Sequence, residues 1–160
     1  ESDGYEPSWS PDGTHIAFRT RRDVPEESEE SRWDDLYVME PDGSEQVRIS
    51  DHETGMWRLT PQWSRDSRYL TWHEDCGADA CVDDVWIGAA DGSSTWNVTQ
   101  TEDLFEESPQ WSRDGRRLIF TRWRRSSART DIFSIRVDGT GLKRLTETPG
   151  PEGPPDWQTW

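Results

Sequence analysis

Lysine is almost absent from this 160-residue chain: of its 18 basic residues only Lys143 is lysine, against 33 acidic residues and a formal net charge of −15. A field of that sign repels nucleic acid and anionic membrane surfaces, so neither is expected as a partner. An acidic, lysine-poor surface fits a high-salt habitat, and GC-rich codon usage produces the same arginine bias; both explanations stay open. Apolar residues make up only 30% of the chain. No run approaches the ~18 consecutive apolar residues of a membrane-spanning helix, so insertion into a membrane is not expected. No signal-peptide pattern is visible and the first residue is Glu1, so a mature, trimmed or partial chain is expected.

The residues of common active sites are equally sparse. Histidine occurs only as His15, His52 and His73, without HExxH or facing-pair spacing. No Gly-x-Ser-x-Gly elbow is present, which argues against a serine hydrolase. Carboxylates are so abundant that a catalytic pair could be drawn anywhere, and abundance removes the signal. An enzyme is therefore not expected, and neither is a cofactor. Asp75, Asp79 and Asp83 could hold a loose Ca²⁺, but no complete EF-hand loop occurs. A zinc set of His73, Cys76 and Cys81 has a spacing unlike structural zinc sites. Cys76 and Cys81 are the only cysteines, separated by Gly77, Ala78, Asp79 and Ala80. They read either as a loop-closing disulfide in an oxidising compartment or as two free thiols in a cytosolic protein; the disulfide is the favoured reading.

What is plentiful is tryptophan, with 11 residues, and it marks a repeat. Trp9-Ser10-Pro11-Asp12-Gly13 recurs as Trp63-Ser64-Arg65-Asp66-Ser67 and as Trp111-Ser112-Arg113-Asp114-Gly115, with a truncated copy at Pro155-Asp156-Trp157-Gln158. Beyond each full copy an alternating pair follows: Ile16 and Phe18, Leu70 and Trp72, Leu118 and Phe120. That period of two is a half-buried strand. Next come Asp35-Leu36-Tyr37-Val38, Asp84-Val85-Trp86-Ile87 and Asp131-Ile132-Phe133-Ser134, each leading into an Asp-Gly hairpin signal. Each unit closes on a short strand: Arg48-Ile49-Ser50, Asn97-Val98-Thr99 or Arg144-Leu145-Thr146. Four short strands, here a to d, repeating at Trp-to-Trp steps of 54, 48 and 46 residues define a β-propeller blade. The fold class is thus all-β: four-stranded antiparallel blades over residues 5–50, 59–99 and 107–146, plus one closing strand at 154–158. The sequon Asn97-Val98-Thr99 lies on a predicted strand and reads as structure before glycosylation.

The wording of the repeat, Pro-x-Trp-Ser-Pro-Asp-Gly with Ile-Ala-Phe and Leu-Tyr-Val-Met-x-x-Asp-Gly, resembles the PD40 (WD40-like) repeat of TolB-like propellers over residues 5–158. The resemblance implies periplasmic or surface location and protein partners; these blades serve many unrelated functions. Three blades cannot close a ring. The chain is expected to be part of a larger propeller with further blades, or to associate with other copies.

Connection lengths separate the two faces. The a–b and c–d turns are tight, whereas the b–c and d–a connections are long and emerge together, on the face where variable chemistry usually sits. Its loops are mostly acidic; the third b–c loop, with Arg122, Arg124, Arg125 and Arg129, is the exception. Charge runs of this kind are usually a solvated rim, and the sharper reading is a docking patch. Trp9, Trp63, Trp111 and Trp157, with Asp12, Asp66 and Asp114, are the structural repeat, and Trp72 and Trp86 are core. Trp33, Trp57, Trp96, Trp123 and Trp160 have no equivalent in every blade. Among these, Trp33, Trp57 and Trp123 join Arg122, Arg124 and Arg125 as candidate partner-binding residues. The leading expectation is a non-catalytic, extracytoplasmic interaction module. The alternatives are a self-assembling filament or surface-layer subunit, and the gating propeller of a prolyl-oligopeptidase-like hydrolase whose catalytic domain lies elsewhere.

Overall fold

The computed structural model describes residues 4–22, 34–50, 56–75, 82–127, 129–147 and 151–155. Among them are twelve strands in three four-stranded antiparallel sheets, each a simple meander. The first blade is β1 (Gly4–Trp9), β2 (Ile16–Thr20), β3 (Asp35–Met39) and β4 (Val47–Arg48). The second is β5 (Trp57–Trp63), β6 (Tyr69–Asp75), β7 (Asp84–Ala89) and β8 (Thr95–Asn97). The third is β9 (Phe105–Trp111), β10 (Arg117–Trp123), β11 (Thr130–Arg136) and β12 (Lys143–Arg144). No helix among the described residues is long and apolar enough to cross a membrane. Strands β5 and β9 begin two residues before the expected blade limits, which makes Trp57 a strand residue in the position of Phe105.

The a–b turn explains the repeat. In each copy the serine hydroxyl donates to the aspartate at 2.7 Å: Ser10 to Asp12, Ser64 to Asp66, Ser112 to Asp114. The same hydroxyl accepts the amide that opens strand b, from His15, Tyr69 or Arg117. The turn closes through a left-handed residue, which glycine adopts without steric cost at Gly13 and Gly115. The second blade uses Ser67 there at φ 59°. Its hydroxyl accepts the Asp12 amide of the first blade at 3.1 Å, a bond that glycine could not make.

Strand a carries a second repeated device. Glu6, Thr60 and Ser108 all have φ near +50°, at 52°, 53° and 55°. Each precedes a proline, and the pairing with strand b shifts register there. A proline has no N–H for the ladder, so the bulge falls where it is needed least.

The blades meet through apolar faces. Ala17, Leu36, Val38 and Ile49 of the first blade pack on Leu70 and Trp72 of the second, with Trp63 and Trp86 beside them. Val85, Ile87 and Val98 of the second meet Leu118, Phe120 and Ile135 of the third, with Trp111 and Phe133. Trp72 stands where the sister blades have Phe18 and Phe120. The strand c position opposite Leu70, which is Met39 and Ile135 in the sisters, is Gly88, where a Cβ would lie 2.9 Å from the Trp72 ring. Large against small preserves the packed volume.

The repeat tryptophans tie neighbouring blades together. Trp63 Nε1 donates to the Ser8 carbonyl at 3.2 Å and Trp111 Nε1 to the Gln62 carbonyl at 3.0 Å. In both cases the acceptor immediately precedes the tryptophan of the preceding blade. Trp96 does the same from strand d, donating to the Val137 carbonyl. Trp9, expected as core, is 58% exposed, and among the described residues its indole N–H has no acceptor. The physical reason is that no described blade precedes it. Residues 156–158 of the expected closing strand, including Trp157, lie outside the described residues. Pro155 is buried, and the Glu152 amide bonds to the Thr130 carbonyl.

Candidate interaction surface

The strand ends beneath the long loops are held by buried charge. Near the start of strand c stand Asp35, Asp84 and Asp131, and each carboxylate takes donors from the end of strand d. Asp35 accepts from Arg48 at 2.7 Å and Ser50 at 3.1 Å. Asp84 accepts from Asn97 at 2.7 Å and Thr99 at 3.0 Å. Asp131 accepts from Arg144 at 2.7 Å. The next amide in strand c, of Leu36, Val85 or Ile132, donates to the hydroxyl of Ser50, Thr99 or Thr146. Asn97 and Thr99 of the sequon are therefore both engaged inside the blade.

Across strands a and b the second and third blades carry the same charge pair in opposite orientation. Arg58 in β5 faces Glu74 in β6, with Arg58 Nε 3.1 Å from Glu74 and both side chains almost wholly buried. Glu106 in β9 faces Arg122 in β10, at 2.7 Å. Arg58 also reaches back to Asp35 of the first blade at 3.4 Å. The first blade has Gly4 opposite Thr20 in this position, and places its ion pair one register away, Arg19 to Asp34 at 2.5 Å and to Glu6 at 2.9 Å.

Burial shifts three groups at these strand ends. Asp83 is pushed up to about 7, first by burial and then by Asp75, Glu107 and Asp84. Glu106 also rises to about 7, because burial outweighs the opposing pull of Arg122. His73 falls to about 4, again chiefly through burial, and is neutral at physiological pH.

The expected docking residues divide. Arg122 is not in a loop: it lies in β10, its guanidinium 4.7 Å from the Phe133 ring centre. Trp123 is a strand residue too, stacked on Phe105 at 4.2 Å and donating to Glu107 at 2.7 Å. Sequence periodicity missed both because β10 runs past the point where its alternation of apolar residues ends. Arg124 pairs with Asp103 at 2.8 Å, and Arg125 lies over Phe105 at 5.0 Å. Arg122, Trp123 and Arg124 nevertheless line one depression of about 170 Å³, together with Leu104, Ser127, Arg129, Asp131, Phe133 and Arg144. Trp57 lies apart, at the start of β5. Trp33, Cys76, Cys81 and Trp160 lie outside the described residues, as does Asp79 of the Ca²⁺ set. No group of three or more potential metal-ligating side chains occurs among the described residues.

No family model and no curated protein matches the chain. Solved structures do. A protein assigned as TolB from Agrobacterium tumefaciens superposes with a TM-score of 0.65 and 20% identity, over 91% of this chain and 49% of that one. An oligogalacturonate lyase in complex with manganese gives 0.68 and 21%, over 94% and 43%. A prolyl endopeptidase gives 0.65 and 20%, over 93% and 22%. The chain thus spans less than half the length of each of these structures. What these residues build is three consecutive four-stranded blades of a β-propeller fold, similar to those of the solved TolB, lyase and endopeptidase structures.

Proposed function

We propose that this chain is the binding part of a non-catalytic, extracytoplasmic propeller that holds a protein partner on its long-loop face. The observation that carries the reading is the convergence of Arg122, Trp123 and Arg124 on one depression beside the loops. The buried ion pairs beneath it make a rigid floor, as a presented surface requires. The likeness to TolB supports the class, and the disulfide reading of Cys76 and Cys81 supports the location. Site-specific photo-crosslinking tests it in the full-length protein in its own cells. A crosslinker at Ser127 is expected to capture a discrete protein partner. One at Ser44, on the tight-turn face, serves as the comparison. Capture from position 44 with none from 127 would overturn the reading.

The blades are, on this proposal, a segment of a larger ring completed by further blades. Three features support it. Trp9 is exposed without an acceptor; Gly43 has open space where Gly92 and Gly139 touch the preceding blade; Leu145 is 46% exposed where Ile49 and Val98 are buried. These same features support a second reading, in which copies of this chain complete one another. Light scattering on the 160-residue chain separates the two by mass, and a stable, cooperatively melting monomer would count against both. The superposition on a prolyl endopeptidase motivates a third, the gating propeller of a hydrolase; the complete gene decides it by the presence or absence of a catalytic domain.

A further inference from the structure

Two contacts recur where one described blade meets the next. The residue just before the strand c aspartate meets the start of the following strand a. Asp34 forms a parallel bridge with Trp57, and the Asp83 carbonyl accepts the Glu106 amide at 2.8 Å. Further along, the strand a tryptophan donates its indole N–H to the carbonyl preceding the earlier tryptophan, Trp63 to Ser8 and Trp111 to Gln62. Beyond strand d of the third blade the first contact is made again: the Thr130 carbonyl accepts the Glu152 amide at 3.0 Å. Thr130 precedes Asp131 as Asp83 precedes Asp84, and Glu152 stands as far before Trp157 as Glu106 stands before Trp111. The prolines agree with this register. Pro155 is buried like Pro61 and Pro109, whereas Pro7, with no described blade before it, is exposed. The inner part of the third blade's flank is covered as well. Ile119 and Ser134 take the places of Ala17 and Val38, which face the following blade. They are 5% and 3% exposed, while Leu145 in the outer part is 46% exposed. The copy departs at Pro154, whose ring fixes φ at about −65°, so the left-handed bulge of the sister strands is not repeated.

We propose that residues 152–158 are strand a of a fourth blade, seated on the flank of the third, with the Trp157 indole N–H on the Gln110 carbonyl. The proposal rests on the reading of these blades as part of a larger ring, and it names what can complete the ring at this end. The strands b to d that would join this strand are not among β1 to β12, which are all used within the three blades. A strand a without its strand b presents a row of unpaired N–H and C=O groups. A second copy cannot cover that row with its first blade, because there β2 already pairs with β1. The partner that fits is a three-stranded sheet with no strand a of its own.

The test is photo-crosslinking in the whole 160-residue chain, with benzoylphenylalanine in place of Trp157 and an equal mixture of isotopically light and heavy protein. Crosslinks to β9 or β10 within a single chain are expected. Mixed light–heavy crosslinks, attachment to the first blade, or no attachment to the third would overturn the seat. Denaturant melts read the same contact without the crosslinker. Trp157→Ala should lower the midpoint more than Trp9→Ala does, and an equal or smaller shift would also overturn it. Failure of the seat leaves the larger-ring reading to its own light-scattering test. A seated strand in a stable monomer would remove that reading and leave the seat standing.

Discussion

The seams between blades and the open flanks of the first and third blades use the same residues and give them different fates. At the seam the Trp111 indole covers apolar side chains and finds a carbonyl; on the flank Trp9 is 58% exposed. In the c–d turn, a Cβ on Gly92 would lie 2.9 Å from the Arg48 carbonyl oxygen, whereas Gly43 meets nothing within 4 Å. Val98 is 4% exposed and Leu145 is 46%. A repeat residue is thus core or surface according to its neighbour, and sequence identity within the repeat does not decide which.

The sharpest way to break that comparison is to remove the ring of the tryptophan. Trp111→Ala should cost about 3–5 kcal/mol, as large aromatic truncations in packed sites do. Trp9→Ala should cost under about 1 kcal/mol, the usual range for an exposed side chain. Equal losses in denaturant melts would mean that the flank is covered in solution, and would favour copies of the chain completing the ring.

A smaller effect is expected at the paired glycines. Gly43→Ala adopts a left-handed conformation in open space and should cost about 1 kcal/mol. Gly92→Ala adds a collision with the Arg48 carbonyl and should cost about 1–2 kcal/mol more. Thermal melts of the two variants that coincide would show that the seam yields at no cost.

Titration sharpens the seam from another side, because Asp83 and Glu106 meet across it: the Glu106 amide donates to the Asp83 carbonyl at 2.8 Å. Both carboxyls sit at about 7, above their unfolded values of 3.8 and 4.5. Raised carboxyls bind protons in the folded state first, so their contribution is full near pH 4 and is lost as pH rises through 7. His73, lowered to about 4 from 6.5, works the other way and loses its contribution as pH falls from about 6.5 to 4. With two groups against one, stability is expected to rise from pH 8 to about pH 5. Asp83→Asn should raise the melting temperature at pH 8 by a few degrees and flatten the profile. A variant profile parallel to the wild type would refute the assignment.

The most local effect is expected at the cysteines. Closing so short a loop stabilises by about 2 kcal/mol in the chain-entropy model, and only against local unfolding of its own loop if the blades open separately. Non-reducing mass spectrometry should find a peptide bridged through Cys76 and Cys81. Alkylation of both thiols in the native protein would remove this support for an extracytoplasmic location.

How much of this was legible follows from where the information lies. The strands of each blade, the Asp-Gly turns and the Trp-Ser-x-Asp-Gly motif are local, with partners a few residues away, and the repeat displays them three times. The Trp123 stack on Phe105 and the Arg122 pairing with Glu106 are cross-strand contacts in one blade only, so no repetition announces them. The reversal from Arg58–Glu74 to Glu106–Arg122 is hidden for a further reason. Pairing depends on which residue faces which across a bulged register, and two acidic or basic letters in sequence do not carry that. Of the candidate site, the placement of Arg122 and Trp123 in a strand rather than a loop was therefore not visible in the sequence.

The left-handed residue and proline in every strand a, at Glu6-Pro7, Thr60-Pro61 and Ser108-Pro109, have a consequence for keeping the sheets finite. Within its sheet strand a pairs with strand b alone; its other edge touches the preceding blade only at single points, such as the Glu106 amide on the Asp83 carbonyl, and is otherwise a template on which a foreign strand could add. A proline removes one donor from that edge, and the bulge beside it breaks the regular spacing an incoming strand would need. At the opposite margin, strand d is only two or three residues long, too short to seed a ladder. Each blade thus ends at four strands by design on both sides, which restricts further assembly to face-to-face stacking of blades and discourages edge-to-edge aggregation.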